Sequence, residues 1–222
     1  MKTFRLIGQA GLVAAAALLA STGSHADVIG AAYLNNAAAG NALIGFSHGA
    51  PDATFSVPSP TNAACTGIFT GDTLCFNSNA AVDGYTLGGF LGTGGATVLT
   101  GSAAALAASL NNTVFEFTGT VTVTTGQIFQ AGHDDGLQLM IGSILVIDAP
   151  GPTGFTTTPA TYTGPSGTFS FDLVYGECCG PPAALGIALP FQSVTPGVPE
   201  PGMLALLAVS LMGLALTRGK QS

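Results

Sequence analysis

Lysine and arginine are almost missing from this 222-residue sequence, and the four that it has lie close to its two ends. From residue 27 to residue 198 there is neither lysine nor arginine, while ten aspartate and glutamate residues occur in the same stretch. A surface without cations cannot neutralise phosphates, so nucleic-acid binding and nucleotide binding through basic side chains are excluded. Divalent cations are the natural partners of such an anionic surface.

The motifs of common hydrolases are also missing. There is no nucleophile elbow with the acid and histidine that would complete a triad, and no His-Glu-x-x-His metal motif. Paired carboxylates can hydrolyse glycosides, but residues adjacent in sequence seldom lie on opposite sides of a sugar. We therefore expect a protein that is not an enzyme, with a hydrolase as the weaker alternative.

The first 26 residues have the three-part layout of a cleavable secretory signal. A short basic region precedes an apolar run over 6–20, and Ser24 and Ala26 are small residues at the positions that a signal peptidase reads. Cleavage is predicted between Ala26 and Asp27. An uncleaved membrane helix is the alternative, but the apolar core is about five residues too short for it.

The C-terminal segment combines a short motif, an apolar run and a basic tip. Pro199-Glu200-Pro201 ends the preceding structure, and an apolar run over 203–217 is followed at once by two basic residues. This order resembles the PEP-CTERM sorting signal along 198–220. The resemblance implies that the helix halts export at the inner membrane and that an exosortase-like protease cleaves near the motif. A plain tail anchor is the alternative.

Between these ends, about 172 residues are enough for one domain with a sizeable core. The stretch is rich in glycine, threonine, alanine, valine and phenylalanine, and its apolar and β-branched residues argue against disorder. We place the domain at 27–191, a linker at 192–198 and the sorting and anchoring segment at 199–222.

Alternation of apolar and polar residues with a period of two dominates the second half of the domain. Short strands separated by glycine-rich turns predict an all-β fold, an antiparallel β-sandwich, flanked by an N-terminal signal helix and a C-terminal anchor helix. Ser102 is predicted to cap a helix over 103–110, and 149–167 to form a long surface connection with a brief strand near Tyr162. The predicted strands are 42–46, 53–57, 113–118, 119–125, 127–131, 137–141, 144–148, 169–175 and 185–189.

All four cysteines lie in the part predicted to be exported, where an oxidising environment favours disulfides. Cys65 and Cys75 bracket a short loop and are predicted to pair. Cys178 and Cys179 are adjacent, and either form a vicinal disulfide or each pair with another cysteine, because four cysteines allow three pairings. Metal binding is the alternative, although an adjacent pair suits a tetrahedral site poorly.

Two adjacent carboxylates, Asp134 and Asp135, are followed by Gly136 at the end of a predicted strand. A Ca²⁺ ion between them would relieve their repulsion, and oxygen ligands suit that ion. A cis peptide bond between the two residues would make their side chains converge. In the alternative interpretation, Asp135-Gly136 is a hairpin turn and Asp134 is its solvated neighbour. We interpret His133 as a hydrogen-bonded loop residue rather than a ligand.

The stretch from Thr113 to Leu189 resembles the protective-antigen-type β-sandwich and its GLEYA relatives among fungal flocculins and adhesins. In those proteins an Asp-Asp-Gly motif precedes a strand, a tight turn, a strand that ends near Val-Ile-Asp, a Tyr-x-Glu strand and a strand of small residues. In the adhesins the aspartate pair chelates Ca²⁺, which in turn holds sugar hydroxyls, and the resemblance implies this role for Asp134 and Asp135. The corresponding segments here are 134–136, 142–143, 146–148, Tyr175-Gly176-Glu177 and 184–189.

These features together predict an exported protein of the cell surface or extracellular matrix that is transiently anchored in the membrane. Its expected function is calcium-assisted carbohydrate binding or adhesion, with an extracellular glycan and an exosortase-like protease as partners. The alternative is a structural component of the extracellular polysaccharide matrix without a specific ligand.

Overall fold

In a computed structural model, two antiparallel β-sheets pack face to face around one main apolar core. The structure describes residues 24–25, 28–57, 73–191 and 193–194, with the backbone alone at 24–25 and 193–194. The predicted terminal helices, Ala26, Asp27, Cys65 and Pro199-Glu200-Pro201 lie outside the described residues. Within the described ranges, no helix is long and apolar enough to cross a membrane.

The described part contains thirteen strands, two short α-helices and one 3₁₀ turn at Ala37–Gly40. The helices are α1, Leu87–Thr93, and α2, Ala103–Leu106. The strands are β1 Ser24–His25, β2 Val28–Tyr33, β3 Ala53–Val57, β4 Leu74–Ser78, β5 Thr97–Gly101, β6 Thr113–Val123, β7 Ile128–Asp134, β8 Leu137–Ile141, β9 Ile144–Ala149, β10 Thr156–Thr161, β11 Gly167–Glu177, β12 Ala183–Ile187 and β13 Ser193–Val194.

The larger sheet has seven strands in the order β5-β3-β2-β6-β11-β8-β9, and the smaller has four in the order β10-β7-β12-β4. A separate pair joins β1, which lies within the predicted signal segment, to β13. Every ladder is antiparallel. The predicted all-β, antiparallel β-sandwich is therefore confirmed.

The core lies between the inward faces of the two sheets, where aromatic rings from both meet. Phe76 of the smaller sheet lies 6.4 Å from Phe55 and 5.4 Å from Phe117 of the larger sheet, measured between ring centroids. Phe171 and Tyr175 of β11 are also buried. The alternating aromatic face of β11 is thus part of the core and not an exposed stacking platform.

One long strand, β6, replaces the two short strands predicted over 113–118 and 119–125. The residues from Thr113 to Val123 pair continuously with β11, and Gly119 lies opposite Phe171. A Cβ atom on Gly119 would lie 2.8 Å from the Phe171 ring. The glycine therefore leaves room for an aromatic ring across the ladder instead of marking a turn.

The prediction of a strand over 42–46 is wrong, because this segment belongs to a loop that covers the outer face of the larger sheet. Ala42 is buried there and its amide donates to the carbonyl of Pro150. The capped helix after Ser102 is confirmed, but it ends at Leu106. Helix α1 was not predicted, because its three glycines disfavour a helix.

Candidate metal centre

Asp135-Gly136 connects the two sheets. Strand β7 ends at Asp134 in the smaller sheet, and β8 begins at Leu137 in the larger sheet. A hairpin turn joins neighbouring strands of one sheet, so the hairpin interpretation of this dipeptide is wrong. Gly136 passes so close to the loop after β9 that a Cβ atom would lie 2.0 Å from the carbonyl oxygen of Pro150.

The two carboxylates lie where the chain passes from the smaller sheet to the larger one, and they are mostly buried. The exposed fraction is 7% for Asp134 and 4% for Asp135, so Asp134 is not a solvated neighbour of a turn. The peptide bond between them is cis, which is the geometry that lets adjacent side chains converge. Both residues line one cavity.

Both oxygens of the Asp135 carboxylate accept hydrogen bonds from the backbone of other loops. Thr153, after β9, donates its amide to Oδ1 at 3.0 Å, and Cys178, after β11, donates its amide to Oδ2 at 2.8 Å. Each carboxylate oxygen has two lone pairs, so one remains on each for a cation. These two loops therefore hold Asp135 in place without occupying all its ligand capacity.

The imidazole ring of His133 contacts the backbone of the aspartate pair. Its Nδ1 lies 2.5 Å from the carbonyl oxygen of Asp135, which can only accept, so Nδ1 carries the proton. Its Nε2 lies 2.7 Å from the hydroxyl of Thr158, which can act as donor or as acceptor. The predicted hydrogen bonding of His133 is confirmed, although the residue lies in β7 and not in a loop.

The electrostatic environment of Asp134 is unfavourable for a second negative charge. Burial, and after it the charge of Asp135, raise the pKa of Asp134 above its usual value, while the backbone amide of Phe155 and the nearby His133 act in the opposite direction. Between residues 27 and 198 the sequence has no lysine or arginine that could offset this repulsion. An external cation would do so.

A buried acid is linked to the aspartate pair through the hydroxyl of Tyr175. Glu177 is completely buried, accepts from the hydroxyl of Tyr85 at Oε1, and has its Oε2 2.6 Å from the hydroxyl of Tyr175. The Tyr175 hydroxyl also contacts the carbonyl oxygen of Asp134 and accepts from the amide of Ala184 at 3.2 Å. A phenol has one proton and cannot donate to two acceptors. A protonated Glu177 that donates to Tyr175 satisfies all of these contacts.

The raised pKa of Glu177 agrees with a protonated acid at this position. Burial raises the pKa of Glu177 to about 8, although its short contacts with the hydroxyls of Tyr175 and Tyr85 act in the opposite direction. Burial first, and then Glu177, raise the pKa of both tyrosines. The Tyr-x-Glu motif gave a signal for Glu177 and Tyr175 in the sequence, whereas nothing there indicated Tyr85.

The cavity above the pair has a volume of about 420 Å³ and opens to solvent. Two loops complete its walls, one between β9 and β10 and one between β11 and β12. Apart from the two aspartates, its lining residues are Pro152, Thr153, Gly154, Cys179, Gly180, Pro181 and Pro182. The second loop was not assigned to the site by sequence, because its glycine and prolines indicate only a turn.

A vicinal disulfide joins Cys178 and Cys179 at the edge of this cavity. Their sulfur atoms lie close to the Asp135 carboxylate, but sulfurs joined in a disulfide are not thiolates, so only oxygen ligands remain for a metal. Cys75 is also disulfide-bonded, and its predicted partner Cys65 lies outside the described residues. The alternative of a cysteine-bound metal thus loses Cys178 and Cys179 as ligands.

No protein-family model and no curated protein matches this sequence. Among solved structures, it is similar to the PA14 domain of the MpAFP antifreeze protein, with 18% identity and a TM-score of 0.46 over 78% of this chain and 84% of that one. A PA14 sugar-binding domain from an RTX adhesin has 18% identity and a TM-score of 0.45, over 76% and 95% of the chains. An anti-sigma factor domain-containing protein has 16% identity and a TM-score of 0.40, over 78% and 46%.

Proposed function

We propose that this protein binds Ca²⁺ through Asp134 and Asp135 and uses the ion to hold sugar hydroxyl groups at a cell surface or in an extracellular matrix. The observation that supports the proposal is that two mostly buried carboxylates line one open cavity. The sequence between residues 27 and 198 offers no basic side chain to neutralise them. The resemblance of the Asp-Asp-Gly motif to that of the adhesins points in the same direction.

The chemistry of the cavity favours calcium with a sugar over a larger partner. Ca²⁺ takes six to eight oxygen ligands, so two aspartates leave coordination positions for hydroxyl groups and water. Proline and disulfide surfaces around the pair would contact the apolar face of a sugar ring. A cavity of about 420 Å³ is within the size range of small-molecule sites.

A thermal melt with and without calcium tests the metal site. Calcium at a hundredfold excess over Kd should stabilise the protein by about 2.7 kcal/mol, which corresponds to roughly 5–10 °C in melting temperature for a domain of this size. EDTA should remove the gain. The double variant Asp134→Asn and Asp135→Asn should not respond to calcium, because its amides keep the shape but lose the charge.

A second carboxylate pair provides the matched control. Glu116 and Asp172 are neighbours on the outer face of the larger sheet, and burial and the charge of Glu116 raise the pKa of Asp172. The variant Glu116→Gln with Asp172→Asn loses the same net charge elsewhere and should keep the full calcium response. An equal calcium response in wild type and in the Asp134 and Asp135 variant would contradict the proposed site.

Glycan-array binding in calcium and in EDTA then separates a carbohydrate-binding protein from a structural matrix component. The proposed function requires glycan binding that disappears with EDTA and in the Asp134 and Asp135 variant. A structural component without a ligand would give no binding in either condition.

Export and processing are proposed from the two ends of the sequence. Intact-mass measurement of the exported form should show the loss of residues 1–26, which would also remove β1 and its pairing with β13. Changing Pro199-Glu200-Pro201 to three alanines should leave a membrane-held protein that retains its C-terminal segment. Unchanged release into the medium would contradict recognition of this motif.

A further inference from the structure

The vicinal disulfide ties a buried residue to the wall of the cavity. Cys178 and Cys179 lie in the loop that joins β11 to β12. Cys178 is 4% exposed and belongs to an apolar cluster on the outer face of the larger sheet, together with Val114 and Val174. Cys179 is exposed and lines the cavity above the aspartate pair.

The backbone next to the disulfide determines how Asp135 is held. The amide of Cys178 is one of the two backbone donors to the Asp135 carboxylate, at 2.8 Å. The carbonyl of Cys178 accepts from the amide of Gly180 at 2.7 Å, so the peptide groups on both sides of Cys179 are constrained. The disulfide and this hydrogen bond therefore hold the loop at the residue whose amide contacts the Asp135 carboxylate.

We infer that the Cys178–Cys179 disulfide is a positioning element of the calcium site, because it keeps the Cys178 amide on Asp135 and thereby sets the affinity for Ca²⁺. The inference rests on the proposed function. A covalent cross-link removes conformational freedom from the loop that contains it. Groups that orient a metal ligand from behind typically change metal affinity by 10- to 100-fold.

The test compares two double variants that each remove two cysteines. Cys178→Ser with Cys179→Ser opens the loop at the site, whereas Cys65→Ser with Cys75→Ser removes the other two cysteines. Calorimetric titration with Ca²⁺, well below the melting temperature of each protein, should show a Kd at least tenfold higher for the first variant and about the wild-type Kd for the second. Wild-type affinity in the first variant would overturn the inference, even if its melting temperature falls.

Amide hydrogen exchange measured by NMR gives a readout that does not depend on calcium. In calcium-free protein, the backbone amide at position 178 should exchange at least tenfold faster in the variant Cys178→Ser with Cys179→Ser than in wild type. If wild type does not bind Ca²⁺ at all, the proposed function fails, and exchange alone then decides whether the disulfide positions the amide. Equal exchange rates would show that it does not.

Reduction provides the same comparison if the serine variant does not fold. In the Cys65 and Cys75 variant, dithiothreitol delivers two electrons and two protons to the remaining S–S bond, which becomes two thiols while the reagent closes to its cyclic disulfide. Calcium affinity should fall at least tenfold on reduction and return on reoxidation. Unchanged affinity in the reduced protein would overturn the inference.

Discussion

Replacing Gly136 with alanine is expected to destabilise the domain by about 3 kcal/mol, which lowers its melting temperature by roughly 6–12 °C. The new Cβ atom would lie 2.0 Å from the carbonyl oxygen of Pro150, which is backbone and cannot rotate away. Either β8 or the loop after β9 must therefore move. The carbonyl of Gly136 also accepts from the amide of Gly176, so a shift would disturb the site as well.

Gly151→Ala is the matched control for this change. Gly151 lies in the loop that Gly136 approaches, but a Cβ atom there has no neighbour within 4 Å. Its melting temperature should stay within about 2 °C of wild type, because surface substitutions rarely change stability by more than 0.5 kcal/mol. Equal melting temperatures for Gly136→Ala and Gly151→Ala would show that β8 and the loop are not packed as described.

The second large effect concerns the pH dependence of stability and the buried Glu177. Its pKa is about 8 in the folded protein, against an ordinary value of 4.5. Below pH 4.5 both the folded and the unfolded states are protonated at this residue, so it gives no pH dependence. Between pH 4.5 and 8 only the unfolded state ionises, so the free energy of unfolding falls by about 1.4 kcal/mol per pH unit. Above pH 8 both states are ionised and the fall ends.

Glu177→Gln should abolish this component. The amide can accept from Tyr85 and donate to Tyr175, as the protonated acid does, but it does not ionise. The variant should therefore gain stability relative to wild type as the pH rises from 4.5 to 8, by roughly 4–5 kcal/mol in total. Urea denaturation of both proteins across this range measures the difference.

Asp52→Asn serves as the control for the loss of one carboxylate. Asp52 is exposed, and within the described residues its carboxylate accepts a hydrogen bond from the amide of Leu34. The free energy of unfolding of this variant should still fall between pH 4.5 and 8, because Glu177 is intact. Parallel profiles for wild type and Glu177→Gln would mean that Glu177 is ionised in the folded protein, which would contradict the proton count in the cluster.

The strands of the second half could be predicted because their pattern is local. In β6, β8 and β11, side chains alternate between the core and the outer face, and each strand shows this alternation within its own residues. The Gly142 turn was visible for the same reason, since its positive φ suits glycine. In contrast, β2 consists largely of small residues and β4 is buried at almost every position, so neither strand shows a clear alternation.

By itself, the sequence determined the anionic character of the central stretch, the β class of the fold and the presence of two adjacent carboxylates before a glycine. Only the tertiary structure decided what surrounds them. Tyr85 reaches Glu177 across 92 residues, and Cys178 reaches Asp135 across 43. The order of strands in the two sheets brings these residues together, and strand order depends on packing between distant segments, which no local pattern records.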